Sequence, residues 1–166
     1  MNTDILKRIG VLILLCLLQA LLFNNILLFG CATPLLFVYF ALSLPRNCSR
    51  SASILWCFVM GLSVDILSNT PGVAAASMTL IGAVKPPFLE IFIQHDSEED
   101  LVPSPSHIGF TQYLYYAGTL ILLHNIVFFT LDTFSFFDFR GWLADVGGST
   151  LLTLVFVFIV ANMRKK

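Results

Sequence analysis

The sequence predicts an all-α integral membrane protein, a six-helix transmembrane bundle, on three observations. Hydrophobic residues make up 57% of the 166-residue chain and charged residues 11%, against roughly 25% charged in a soluble domain. Six apolar runs follow one another along the chain, and the basic residues gather on one side of them. Mean hydropathy is +0.87, and a soluble globule of this size hides only about 70% of the surface its unfolded chain exposes. At about 20 residues per span, six spans use about 120 residues. Residues 1–166 are therefore read as a single transmembrane domain with no separate soluble domain. A formal net charge of −1 provides no field that would steer the chain toward nucleic acid.

The predicted spans cover about 9–29, 31–44, 52–67, 71–93, 110–131 and 145–163. Lys7 and Arg8 precede the first, whose apolar stretch lacks a small-x-small cleavage site, so it reads as a retained span rather than a signal peptide. The second is short and needs flanking residues to cross. Thr33-Pro34 and Thr70-Pro71 predict helix starts, with Thr as N-cap and Pro at the first helical position. The parallel between them hints at an internal repeat. In the fourth span Lys85-Pro86-Pro87 predicts a break or kink; of the two, a kinked helix continuing to Ile93 is expected, with Lys85 snorkelling toward the cytoplasm. Gln94–His107 is the aqueous stretch. Its His95, Asp96, Glu98, Glu99 and Asp100 read as a solvated loop in preference to metal ligands. Asp145 is expected just ahead of the sixth helix, at its positive end.

With the N-terminus inside, Lys7, Arg8, Arg46, Arg50, Lys85, Arg164, Lys165 and Lys166 lie on the cytoplasmic side, and only Arg140 lies outside. The positive-inside rule then places both termini in the cytoplasm. Cys16, Cys31, Cys48 and Cys57 show no C-x-x-C spacing and read as free thiols packed as small hydrophobes. No cofactor is expected. Hydrolase, phosphate-loop and metalloprotease motifs are missing from the chain, so the expectation is a non-enzyme.

Three features stand out as candidate sites. Asp65, near the outer end of the third span, is costly in an apolar environment and faces the unfavourable end of the helix dipole, so it needs a partner. Asn24, Asn25, His124 and Asn125 are the polar residues expected in the same half of the bundle. Other readings are a transport role with His124, contact with a partner protein, or a cap on the Ser68–Gly72 turn. Gly72 and Ala76 form a small-xxx-small pair, suited to close helix packing within the bundle or to docking another protein's helix. The stretch from Phe128 to Trp142 holds Phe134, Phe136, Phe137 and Arg140 among its aromatic and charged residues. Such a stretch is an interfacial belt or a partner-binding surface.

The run Trp56–Gly72, in which Gly61, Leu62, Asp65, Thr70 and Gly72 match an F-x-x-G-L-x-x-D-x-x-x-x-T-x-G-like pattern, resembles the MreD family of rod shape-determining membrane proteins. Size, span count and Pro34 ahead of the second helix extend the resemblance over most of the chain; the acidic loop and Lys85-Pro86-Pro87 depart from it. The resemblance implies a fold similar to the substrate-binding subunits of energy-coupling-factor transporters. It implies a scaffold in the bacterial inner membrane that binds an MreC-like bitopic protein, and through it MreB and the RodA–transpeptidase synthase, to help direct lateral peptidoglycan synthesis and cell shape. Gly61, Asp65, Thr70 and Gly72 are its motif residues. The competing expectation is a small-molecule binding or transport subunit of the energy-coupling type, for which Asp65, His124, Asn125 and Asn25 would line the pocket.

Overall fold

The computed structural model describes residues 2–21, 33–70, 72–93, 102–133 and 139–163. They form seven helices and, among the described residues, no strand: α1 Asn2–Leu21, α2 Val38–Leu42, α3 Arg50–Ser68, α4 Val73–Phe92, α5 Pro105–Ile108, α6 Phe110–Thr133 and α7 Phe139–Met163. Three are long and apolar enough to cross a membrane by themselves: Arg50–Ser68, Phe110–Thr133 and Arg140–Met163, with mean hydropathies of 1.7, 1.6 and 2.1. Their outward faces carry large apolar side chains such as Leu55, Ile66, Leu122, Leu151 and Ile159. That pattern suits a hydrocarbon surrounding, where apolar side chains need no burial in protein.

The third and fifth predicted spans match α3 and α6 closely. The Ser49 hydroxyl starts α3 by accepting the Ala52 N–H at 3.3 Å, satisfying one of the donors that a helix start leaves over. Asn69 ends it in the left-handed region (φ 56°) with its N–H on the Asp65 carbonyl, and the Thr70 N–H reaches the same oxygen at 3.1 Å. This is the usual stop for a helix, on a residue type that tolerates positive φ. α3 packs most extensively against α4, α4 in turn against α6, and α6 against α7. Met60, Met78, Ile81, Tyr113, Tyr116 and Leu120 are fully buried where these helices meet.

The second span departs most from expectation. Its described part, 33–44, is not a spanning helix: there only Val38–Leu42 is α-helical, which covers about 7.5 Å. Thr33 is not the N-cap; Phe37 holds that position. The chain approaches α2 through tight turns, with the N–H groups of Val38, Tyr39 and Phe40 on the carbonyls of Leu35, Leu36 and Phe37. Four other backbone groups ahead of α2 turn to distant side chains. Ser149 Oγ accepts the Thr33 N–H at 3.1 Å, and Thr153 Oγ1 accepts the Leu35 N–H at 3.0 Å. Gln19 Oε1 accepts the Leu36 N–H at 3.0 Å, while Gln19 Nε2 donates to the Pro34 carbonyl at 3.2 Å. Non-helical backbone at membrane depth survives only where protein satisfies it, and here α1 and α7 do so.

Other boundaries move for local reasons. α4 runs unbroken through Pro86 and Pro87 to Phe92, in line with the continuous helix expected. Lys85, however, does not snorkel out: it is 1% exposed, and its Nζ donates to the Leu44 carbonyl at 2.6 Å. The sixth span starts at Phe139, well before residue 145, so Asp145 sits inside α7 and not ahead of it. Gly141 is the only weak helix former in that lead-in, at about 1 kcal/mol, too little to stop the helix. The stretch expected to be entirely loop contains the single turn α5; its acidic part, 94–101, lies outside the described residues. Cys16 and Cys57 are buried and Cys48 is partly buried, all as free thiols; Cys31 lies outside the described residues.

Candidate functional site: the Asp65 corner

Gly61 sets the site up. A Cβ placed there would come within 2.5 Å of the Ala74 carbonyl oxygen and 2.6 Å of Ala75 Cα, so α3 and α4 touch backbone to backbone. Gly82 repeats the contact at the other end of the pair, where a Cβ would lie 2.9 Å from the Ser53 carbonyl oxygen and 3.0 Å from Cys57 Cβ. Only glycine permits such an approach at both ends of a helix pair.

Four residues after Gly61, and so on the same face of α3, Asp65 lies 3% exposed. Its carboxylate accepts the N–H groups of Ala74 and Ala75 at 3.0 and 2.7 Å and the Thr70 hydroxyl at 2.5 Å. The anion that faces the wrong end of its own helix thus sits against the positive end of the next one. Two backbone donors left over at the start of α4 are satisfied in the same stroke. Gly72, the N-cap of α4, has no side chain with which to do this; its φ of 83° is the glycine-favoured conformation that turns the chain back.

Among the described residues, neither His124 nor Asn125 is the partner of Asp65. The turn-capping reading is closest to what is found, extended from the turn to the next helix. Thr70 does not cap α4 as the Thr-Pro spacing predicted, because its hydroxyl is spent on Asp65; Pro71 lies outside the described residues. Asn24 and Asn25 lie outside them too. His124 and Asn125 are fully buried elsewhere. Asn125 Nδ2 donates to Thr150 Oγ1 at 2.9 Å, and the His124 ring meets the edge of Phe37, with ring centroids 5.1 Å apart.

Of the candidate partner-binding residues, Ala76 is exposed and Gly72 partly exposed on α4. The close approach to α3 is made instead by Ala74 and Ala75, so the small-xxx-small pair is not the intramolecular contact. At the start of α7 Arg140 is exposed and Trp142 partly buried. Phe134, Phe136 and Phe137 lie outside the described residues. Around the corner, Leu62, Asp65, Ile66, Asn69, Thr70 and Gly72 border an open depression of about 350 Å³. Enclosed ligand sites bury most of their ligand's surface and converge several polar groups. Here the single ionisable group turns its oxygens to hydrogen-bond donors of its own chain.

Sequence reasoning missed the roles of Gln19, Ser149, Thr153 and Gly82. Their signals were present: a lone amide in an apolar run, a Ser-x-x-x-Thr pair on one face of an apolar helix, and a glycine one turn ahead of Lys85-Pro86. Among the described residues no group of His, Cys, Asp and Glu is placed to hold a metal ion. Compared with protein-family models, with curated proteins and with solved structures, the chain matches none of them.

Proposed function

We propose that the protein is a non-enzymatic scaffold of the bacterial cell-elongation complex, an MreD-like inner-membrane protein with both termini in the cytoplasm. It binds an MreC-like bitopic protein and, through it, serves MreB and the RodA–transpeptidase synthase. The observation that carries this reading is how the motif residues are used. Gly61, Asp65, Thr70 and Gly72 are all spent on locking α3 to α4. Leu62 of the same run faces outward instead, with Ile66 one turn on, at 41% and 72% exposure. A motif used this way makes a rigid corner with an apolar edge, which suits holding another helix better than turning over a substrate. The transport reading has less support, because Asp65, His124 and Asn125 each have different neighbours.

Photocrosslinking residues placed at Ile66 and Ala76 test this in cells. An MreC-like single-span protein captured at either position, together with rounding of the cells on depletion, is the expected result. Normal rod shape on depletion, or a nutrient requirement in its place, overturns the reading.

A further inference from the structure

The depression beside Asp65 combines apolar walls with one anion. Leu62 and Ile66 supply the walls, Asn69, Thr70 and Gly72 the polar rim, and Asp65 is its one ionisable member. The carboxylate is not saturated. Oδ1 accepts from Thr70 and Ala74, whereas Oδ2 accepts from Ala75 alone, and each carboxylate oxygen has room for two donors. Its charge is offset only in part, because a helix start carries roughly half an elementary charge. An anion within a span is costly unless it is paired.

Among the described residues no cation pairs with Asp65. Arg50 opens the same helix, about 22 Å away along its axis. Lys85 donates to the Leu44 carbonyl, and Arg140 is exposed at the start of α7. The segments 22–32, 71, 94–101 and 134–138 contain neither lysine nor arginine.

We propose that the depression receives a lysine side chain from the transmembrane span of the partner, an inference that rests on the scaffold reading and names the chemistry of its contact. The lysine stem lies along Leu62 and Ile66, and the ammonium reaches Oδ2 of Asp65. One open acceptor position suits a point charge better than the two-pronged guanidinium of arginine. A helix without such a lysine leaves the anion as it stands, so the contact also selects the partner.

The affinity of the MreC-like bitopic protein is measured in detergent for wild type, Asp65→Asn and Thr153→Ala. Asp65→Asn keeps an acceptor and removes the charge; Thr153→Ala loosens the fold at Leu35 and keeps the charge. Asp65→Asn should bind about tenfold more weakly, or about 1.4 kcal/mol, and Thr153→Ala as wild type does. In the wild-type complex a carbodiimide, which condenses a carboxylate with a neighbouring amine to an amide, should join Asp65 to a lysine of the same partner. This second measurement needs no substitution. Equal affinity of Asp65→Asn and wild type, an equal loss in Thr153→Ala, a bound partner that is not joined to Asp65, or an adduct with phosphatidylethanolamine in its place overturns the inference and leaves the scaffold reading standing. A wild-type protein that binds no MreC-like partner overturns both.

Discussion

The α3–α4 pair and the Thr33–Leu44 segment solve one problem in opposite ways. Both must satisfy backbone polar groups where there is no water. In the pair, each helix satisfies its own interior, glycines let the two backbones touch, and one carboxylate closes the gap at the shared end. In the segment, only five residues are α-helical, and side chains of Gln19, Ser149 and Thr153 from two other helices supply what the helix does not. The first solution is local in sequence and limited by shape. The second is long-range and limited by hydrogen-bond chemistry.

That contrast predicts different sensitivities. Gly61→Val, which puts side-chain atoms where a Cβ already meets the Ala74 carbonyl oxygen at 2.5 Å, should cost about 3 kcal/mol and strip most folded protein from the membrane. Folded yield is read by gel filtration in detergent; wild-type yield would mean that the two backbones are not in contact.

Asp65→Ala comes next, at about 2–3 kcal/mol, since it orphans two buried N–H groups and a hydroxyl. Asp65→Asn offers one acceptor oxygen in place of two, so its melting temperature should fall between those of wild type and Asp65→Ala. An Asn variant as stable as wild type would show that the charge at the start of α4 contributes nothing.

For the segment, Thr153→Ala removes one acceptor and should cost about 1 kcal/mol. The signature is spatial: faster amide hydrogen exchange at Leu35, with α3 and α4 unaffected. Exchange that rises equally in both regions would dissolve the distinction drawn between them.

Gly72→Ala probes the turn alone, because nothing lies within 4 Å of the position and only its φ of 83° resists a side chain. About 1 kcal/mol is expected, the smallest effect with Thr153→Ala. A loss as large as that for Gly61→Val would mean that the corner is crowded rather than merely strained.

Much of the α3–α4 pair is legible in the amino-acid sequence. The Gly61–Gly72 spacing marked it, and Asp65 stood out because two unfavourable electrostatic terms fell on one residue. Its partner was not legible, because a backbone N–H carries no side-chain signature. Every residue type at 74 and 75 except proline would offer the same donors. The Thr-Pro signals misled for a related reason. A threonine ahead of a proline can cap a helix, but Thr70 had a nearer acceptor in Asp65, and at Thr33 three long-range bonds outweighed the local preference.

Composition and apolar run length by themselves determined that the chain is helical and built for a membrane. The free energy of placing apolar surface and unpaired peptide groups depends on amounts and lengths, both of which a sequence states outright. Tertiary structure alone decided that the second run does not become a spanning helix, that Lys85 turns inward to Leu44, and that Asp65 serves the helix after its own. Each of those outcomes depends on which donor or acceptor lies within about 3 Å, a matter of where distant segments come to rest.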